Sequence, residues 1–262
     1  MLRYLRLYRI FWENCLAREA EFRANFWANL VANAGWLLFF VLLIKILFRN
    51  TEAVAGWTEA EMLSLTGTFG LIHGVFGVVA YQNLSRLPEQ IRLGTFDFVV
   101  TRPVDSLFFV ATRYVRLEGI GTTVGSLLLL LYSTGSLAAR ITPGTVLAYL
   151  FLCLCALVIY FSVYTLLMTL AFWFIRIENL WVLADVVFQV ARYPIDIFRD
   201  WVRSLFIYVI PLAFVASFPA RALVGELPLP WLAVAAGFAV GLFALAVAFW
   251  RFALRSYSSA SS

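Results

Sequence analysis

The sequence predicts an all-α integral membrane protein with six transmembrane helices. Its 262 residues are 63% hydrophobic and only 13% charged, whereas a soluble globular domain usually carries about 25% charged residues. Several apolar runs reach the roughly 20 residues needed to cross a hydrocarbon core about 30 Å thick. Because these runs are continuous and do not alternate with polar residues, they favour helices over the strands of a membrane barrel.

The first 25 residues predict an amphipathic helix that lies along the membrane surface. Its broad apolar face is formed by Leu2, Leu5, Tyr8, Trp12, Cys15 and Leu16. Arginines and glutamates lie largely away from that face. Charge continues through the segment without a small-residue cleavage site, so we do not expect a signal peptide. The alternative interpretation is a soluble helix packed on a partner.

Five spans are expected within residues 26–193, and a sixth follows near the C-terminus. Their approximate limits are 26–48, 62–84, 107–137, 145–174, 180–193 and 231–250. A turn containing Pro143-Gly144 separates the third span from the fourth, and a short polar turn at 176–179 precedes the fifth. Residues 251–262 form a Ser-rich tail without a structural signal. The chain is therefore predicted to be a single transmembrane domain.

Residues 194–230 are compatible with two topologies. Pro211 and Pro219 interrupt their apolar middle, and a proline inside a helix usually kinks or ends it. The segment is either a full span or an extracytoplasmic re-entrant helical hairpin between spans five and six. Arginines concentrate before the first span and around 85–105, which places both regions inside. A hairpin puts the arginines of the tail inside as well, whereas a full span puts them outside, so the hairpin is favoured.

The sequence carries no recognisable catalytic or metal-binding constellation. It has one histidine and three cysteines, and no Gly-Lys-Ser/Thr phosphate-binding loop. If the chain moves a substrate uphill, the energy must come from an ion gradient or from a partner subunit. The net charge of +5 is expected to serve membrane orientation and contacts with anionic lipid, not nucleic acid.

Two ionisable residues fall inside predicted spans. His73 lies in the second span and Asp185 in the fifth, and such residues often mark a transport pathway. The ordinary interpretations are a neutral imidazole bonded to a backbone carbonyl, and a carboxylate paired with Arg176 or with a neighbouring helix. Because the long first, third, fourth and sixth spans carry almost no acidic residues in their middles, coupling to an ion gradient has little support.

An ordered set of short motifs resembles the permeases of type-2 ATP-binding-cassette (ABC) exporters. Gly94-Thr95-Phe96-Asp97, followed by Val100-Thr101-Arg102-Pro103-Val104, is similar to the pattern after the second span of that family. Three further motifs resemble the last outer loop of the family. They are Tyr193-Pro194-Ile195, Trp201-Val202-Arg203 and Ile210-Pro211-Leu212. Ile210 stands where the family usually has Asn. The set covers nearly the whole chain and looks like a divergent bacterial branch that is often encoded as paired permeases with one ATPase.

The resemblance implies that residues 85–105 form a cytoplasmic segment that couples the spans to a separate ATPase, with a second contact at the 176–179 turn. Pro88 suits the first turn of a short helix and Gly94 suits its end. The residues expected to contribute to coupling are Glu89, Gln90, Arg92, Gly94, Thr95, Asp97, Arg102, Pro103, Arg176 and Glu178.

The resemblance also implies a pathway between two permease chains, of which this chain forms half. The residues expected to line it are Phe69, His73, Phe76, Tyr81, Trp173, Asp185 and Phe188. The expected partners are two ATPase subunits, a second permease that is identical or related, and membrane lipid. ATP and Mg²⁺ then belong to the ATPase, and no cofactor is expected in this chain.

The expected location is the bacterial inner membrane, with both termini in the cytoplasm. Exporters of this type carry lipids, glycans, drugs or peptides, and the sequence does not select among them. The alternative function is a motor-independent secondary carrier or channel. An integral-membrane enzyme is less well supported, because no catalytic cluster presents itself at either interface.

Overall fold

The computed structural model describes residues 2–19, 23–174 and 180–257. Within these residues the regular structure is helical apart from an isolated bridge between Val54 and Trp57, so the all-α prediction is confirmed. The α-helices are α1 (Leu2–Glu19), α2 (Arg23–Leu47), α3 (Glu59–Phe76), α4 (Gln82–Ser85), α5 (Leu87–Arg92), α6 (Asp97–Val100), α7 (Ser106–Thr112), α8 (Glu118–Leu137), α9 (Pro143–Thr169), α10 (Leu180–Gln189), α11 (Asp200–Tyr208), α12 (Ser217–Leu223) and α13 (Pro230–Ser256).

Five helical stretches of the described chain are long and apolar enough to cross a membrane. They contain α2, α3, α8, α9 and α13. A sixth is reached if α11 and Leu212–Leu223, which are bent by 74° relative to each other, count as one span. The predicted fifth span, residues 180–193, corresponds to α10 and the 3₁₀ turn Val190–Arg192 that follows it. Together these two elements are shorter than the roughly 20 residues that a straight helix needs to cross a membrane.

Helix α3 is the centre of the bundle, because nearly every residue of its first half is buried. Its glycines face side chains of α8, so that the two helix backbones approach closely. Gly67 faces Leu130, Gly70 faces Ser126, and Gly74 faces Thr123. Small residues at such spacings are the usual means of packing helices inside a membrane, where lipid supplies no hydrophobic drive between them.

Gly74→Ala is expected to loosen this crossing. A Cβ at Gly74 would lie 2.9 Å from the backbone nitrogen of Thr123 and 2.6 Å from its hydroxyl, so α8 must shift. Overpacking of this kind costs about 1–3 kcal/mol. The matched control is Gly77→Ala, because a Cβ at Gly77 meets no atom within 4 Å. Thermal unfolding in detergent should show a lower midpoint for Gly74→Ala only, and equal midpoints would contradict the packing described.

The predicted third span is interrupted, which corrects the expectation of one helix over 107–137. Helix α7 ends at Thr112 and α8 begins at Glu118. The buried side chain of Asn83 holds the intervening backbone, since its amide donates to the Tyr114 carbonyl at 2.6 Å and accepts from the Tyr114 N–H at 2.8 Å. The Arg116 N–H donates to the Val78 carbonyl at 3.1 Å. Irregular backbone is tolerated in such places when protein groups satisfy it.

Helix α1 packs along this same stretch of the chain. The Arg3 guanidinium donates to the Pro103 carbonyl at 2.9 Å, and the rings of Tyr4 and Phe108 meet edge to face with centroids 4.8 Å apart. Further along α1, the Cys15 sulfur accepts from the backbone N–H of Val115 at 3.3 Å. The predicted amphipathic helix is therefore fixed to residues 103–115 of its own chain.

The bundle has two ends that can be told apart by their contacts. At the first, the segment of residues 85–105 meets the end of α13, where the Trp250 indole donates to the Ser106 hydroxyl at 3.0 Å. At the second lies an ion-pair network formed by Trp57, Glu61, Arg140, Asp196, Arg203, Arg221 and Glu226. These are called the segment end and the network end below.

Helix α13 continues through Ser256, past the predicted limit at residue 250. Arg251 and Arg255, which were assigned to an irregular tail, therefore lie on its last turns. Basic residues suit the C-terminal turns of a helix because its dipole is negative there. The rest of the Ser-rich tail, residues 258–262, lies outside the described residues.

Candidate functional site

The segment at the first end consists of two short helices joined by a tight turn. Helix α5 begins at Leu87 with Pro88 in its first turn, as expected for a residue without a backbone N–H. It ends at Arg92, and Gly94 then adopts a φ of 68°, which glycine tolerates and other residues rarely do. The turn is closed by a hydrogen bond from the Phe96 N–H to the Gln90 carbonyl at 3.1 Å, and helix α6 begins at the next residue.

One buried ring fixes this segment to the bundle. Phe96 is fully buried and packs edge to face against Phe172, Trp250 and Tyr257. The Tyr257 hydroxyl donates to the Asp97 carboxylate at 2.8 Å. Burial and this bond to Asp97 raise the pKa of Tyr257 to about 12. These contacts attach the segment to the turn after α9 and to the end of α13.

The predicted coupling residues divide into exposed and inward-facing groups. Those exposed at the segment end are Glu89, Arg92, Thr95, Arg102 and Pro103. Asp97 is partly buried and bound by Tyr257, and Gln90 is half-buried with its carbonyl used inside the turn. Arg176 and Glu178, the predicted second contact, lie outside the described residues.

Sequence reasoning missed three apolar side chains on the same surface. Leu93 is 56% exposed, Phe98 71% and Val100 50%. Leu93 lies in the turn after α5, and Phe98 and Val100 lie on α6, beside exposed polar residues at the segment end. The sequence contained an indication of this surface, because apolar residues in a short polar segment do not belong to a membrane span. A patch of this kind commonly marks a protein interface.

The second feature is a pair of adjoining cavities between α2, α3, α8 and α10. Their volumes are about 350 Å³ and 260 Å³, and they share Asn33, His73, Thr122 and Gln189. The larger cavity has an aromatic wall, and the smaller one has a mainly polar wall. Helix α2 is barely covered by the rest of the chain, so both cavities open beside a lightly packed helix.

The structure brings together most of the predicted pathway residues. Phe69 and His73 line the larger cavity, and Tyr81 and Asp185 line the smaller one with His73. Phe76 and Phe188 are buried behind them, each stacked on Tyr160, with ring centroids 4.3 Å and 3.7 Å away. Trp173 lies elsewhere, stacked on Phe249 and Phe252 of α13.

The two ionisable residues that were predicted to line the pathway, His73 and Asp185, bond to tyrosines. His73 Nδ1 lies 3.0 Å from the Tyr160 hydroxyl, and not on a backbone carbonyl as the ordinary interpretation held. The Tyr81 hydroxyl donates to one oxygen of Asp185 at 2.7 Å, so this carboxylate does bond to a neighbouring helix. Its second oxygen has no hydrogen-bond partner among the described residues. The polar groups are held in place by rings of the core.

Several polar residues of the cavity walls were not predicted. They are Asn29, Asn33, Thr66, Arg116, Thr122, Ser126, Gln189 and Arg192. The guanidinium of Arg192 lies over the ring of Phe40, 3.9 Å from its centroid, and 5.1 Å from the centroid of Phe69. This placement could not be predicted from the sequence, because the three residues are far apart along the chain.

At the network end, the carboxylate of Asp196 accepts hydrogen bonds from several donors. Asp196 accepts from the Trp57 indole at 2.9 Å and from the Arg221 guanidinium at 2.8 Å, and it pairs with Arg203 at 2.8 Å. Arg221 also bonds Glu226 at 2.8 Å. Arg140 joins Glu226 to Glu61 and so to the start of α3. The network ties three separate loops together.

No group of three or more His, Cys, Asp or Glu side chains that could hold a metal occurs in the part of the chain that the structure describes. Comparison with known proteins gives one family result. The family described as "ABC-2 family transporter protein" has a model that matches residues 34–261. No curated protein matches the chain.

Proposed function

The chain belongs to the ABC-2 family of transporter proteins, and on this premise we propose that it is the permease subunit of an ATP-driven exporter, worked by a separate ATPase. The matched region takes in the segment of residues 85–105, the ion-pair network and the walls of both cavities apart from Asn29 and Asn33. A multi-pass membrane protein of this family needs a soluble motor, because the sequence has no phosphate-binding loop of its own.

The observation that carries the proposal is the construction of the segment end. Leu93, Phe98 and Val100 present apolar surface to the surroundings, while Phe96 on the same turn is buried among rings of α9 and α13. A rigid projection with an apolar tip and a buried root suits the transmission of force from a bound protein. Glu89, Arg92, Thr95 and Arg102 surround the tip and supply the polar rim of an interface.

The proposed topology places the segment end in the cytoplasm and makes residues 194–230 a re-entrant hairpin. Asp196 and Arg221 bond to each other, so the start and the end of this stretch lie at the same end of the bundle. Arg140, from the loop between α8 and α9, reaches Glu226 at that end too. Tyr257 meets Asp97 at the opposite end. The short α10 is counted as a pass because the chain leaves Trp173 near the segment end and reaches Asp196 at the network end. Six passes then result, and both termini fall on the arginine-rich side.

The proposed assembly contains two ATPase subunits and a second permease, identical or related. ATP and Mg²⁺ bind to the ATPase subunits. Helix α2 and the cavity openings beside it are covered little by this chain, which supports a pathway completed by another permease. Residues Phe69, His73, Tyr81 and Asp185 are proposed to face that pathway.

The test is ATP-dependent transport by the purified complex in proteoliposomes. Transport should require hydrolysable ATP, be blocked by vanadate, and persist when a protonophore removes the proton gradient. Charge reversal at Asp97 or Arg102 should uncouple hydrolysis from transport. The proposal fails if the chain alone transports without ATP, or if both charge reversals leave transport intact.

One observation favours a motor-independent carrier as the second candidate. The free oxygen of Asp185 lies beside a cavity, where a carboxylate can exchange a proton or bind a cation. In that case Asp185→Asn should abolish transport, and dissipation of the proton gradient should do the same in the wild type. Under the exporter proposal, ATP hydrolysis sustains transport after the gradient has been dissipated.

A further inference from the structure

Arg192 places a positive charge well inside the bundle. Its guanidinium lies 5.1 Å from the ring centroid of Phe69. Phe69 follows Glu61 of the ion-pair network by eight residues on α3, which corresponds to about 12 Å along a helix axis. The charge is therefore at membrane depth and not among the loops. Charged residues at such depth are costly and mark ligand or ion pathways.

Unlike the three arginines of the ion-pair network, this arginine has no acidic partner among the described residues. Arg140, Arg203 and Arg221 each pair with a carboxylate. For Arg192, no ion pair or hydrogen bond is found among the described residues, and its guanidinium lies against the rings of Phe40 and Phe69. Two rings stabilise a guanidinium by cation–π attraction, but they leave its N–H donors available for an anion.

The remaining wall of the larger cavity is divided by polarity. Trp36, Leu37 and Phe40 of α2 form an apolar side. The other helices contribute the hydroxyl and amide groups of Thr66, Thr122, Ser126 and Gln189, and Asn33 lies one turn before Trp36 on α2 itself. The Ser126 hydroxyl is fully buried and has no partner among the described residues. A ligand with a polar head and an apolar body matches this division.

The nearest acidic residue that lines either cavity is Asp185. It belongs to the smaller, adjoining cavity, where Tyr81 donates to one of its oxygens. The larger cavity contains Arg192 and no acidic residue. A cation entering it would meet the arginine, whereas an acid group would be drawn to it and could accept two parallel N–H bonds.

We propose that the larger cavity binds an anionic amphiphile, with its phosphate, carboxylate or sulfonate group on Arg192 and its apolar body against Trp36, Leu37 and Phe40. The volume of about 350 Å³ falls within the usual range for small-molecule sites. The inference rests on the proposed function, in that the amphiphile is the exported substrate or a bilayer lipid entering the same pathway. Both sources share the recognised chemistry, an acid group on an apolar body.

The test compares two probes of equal chain length and opposite charge. Decyl phosphate and decyltrimethylammonium are titrated against the full chain, purified with its partners in phosphatidylcholine nanodiscs, and affinity is read from the rise in unfolding temperature. Wild type should bind decyl phosphate more tightly than the cation. Arg192→Gln should lose about ten- to hundredfold in affinity for decyl phosphate, the range for a lost hydrogen bond to a charged group.

The matched control is Arg199→Gln, because Arg199 is an exposed arginine near the same end and does not line the cavities. It should bind both probes as the wild type does. Equal affinity of Arg192→Gln and wild type for decyl phosphate would overturn the inference. So would tighter binding of the cation than of the phosphate by the wild type, a measurement that needs no variant and stands even if Arg192→Gln does not fold.

Two further measurements are needed. One distinguishes a bilayer lipid from a separate anionic substrate, and the other distinguishes failure of the anion site from failure of the exporter proposal. Phosphatidylglycerol added to the nanodiscs should compete with decyl phosphate only if the ligand is a lipid; without competition, a separate anionic substrate is indicated. ATP hydrolysis by the same preparation tests the proposed function by itself. Loss of hydrolysis with intact anion selectivity refutes the exporter and retains the site, while intact hydrolysis without anion selectivity refutes the site alone.

Discussion

Phe98→Asp is expected to abolish co-purification of the ATPase subunits with this chain. Phe98 is 71% exposed at the tip of the segment end, with Leu93 and Val100 beside it. Exposed aromatic residues at the centre of an interface commonly contribute several kcal/mol to binding. An aspartate there removes the apolar contact and places a charge in a surface that must shed water on docking. The measurement is the amount of ATPase retained on an affinity-tagged chain, with unfolding temperature as the check on folding.

The matched control is Trp201→Asp. Trp201 is an aromatic residue of nearly the same exposure, 70%, but it lies on α11 near the network end. The Trp201→Asp substitution should leave the amount of retained ATPase unchanged. Retention that is the same in both variants and in wild type would show that the apolar tip is not the docking surface.

Asp196→Ala is expected to destabilise the chain by about 1–3 kcal/mol, the usual cost of leaving hydrogen-bonding groups without their partner. The carboxylate of Asp196 holds Arg203, Arg221 and the Trp57 indole at 2.8–2.9 Å. Without it, two guanidinium groups repel each other and the loop before α3 loses its contact. Denaturant unfolding in detergent measures the loss. The control is Asp200→Ala, because Asp200 is exposed four residues away and should change stability little.

The contribution of Asp196 should also depend on pH. Burial by itself raises the pKa of this carboxyl, but the hydrogen bonds from Arg221 and Trp57 and the charges of Arg221 and Arg203 outweigh it and hold the pKa below its usual value. The stabilisation is therefore fully present above the unfolded pKa of about 3.9 and is lost as pH falls through the lower folded pKa. The stability difference between wild type and Asp196→Ala should stay constant from pH 7 to about pH 4 and shrink below that. A difference that shrinks between pH 7 and pH 5 would contradict this assignment.

The sequence was sufficient for the features that depend on local composition. Apolar runs located α2, α3, α9 and α13, and the turn at Gly94 followed from the need for a positive φ after a short helix. The membrane class and the family followed from run length and from the order of short motifs. In each case the determining residues are close together in the chain.

Features made by distant residues could not be predicted in this way. The break in the third span depends on Asn83, whose amide replaces the helical bonds of Tyr114 thirty-one residues later. The position of Arg192 in the cavity depends on contacts between distant parts of the chain, because its guanidinium lies against Phe40 of α2 and Phe69 of α3. Trp173 was assigned to the pathway because of its residue type, but its neighbours on α13 place it elsewhere.

The central claim is that the segment end lies in the cytoplasm and receives the ATPase, and site-directed labelling tests it most directly. A cysteine replaces Thr101, which is exposed, in a chain whose native cysteines are buried, and a membrane-impermeant maleimide is applied to intact cells and to inside-out vesicles. We predict labelling in the vesicles only, and protection there when the ATPase subunits are bound. Labelling of that cysteine in intact cells would contradict the account.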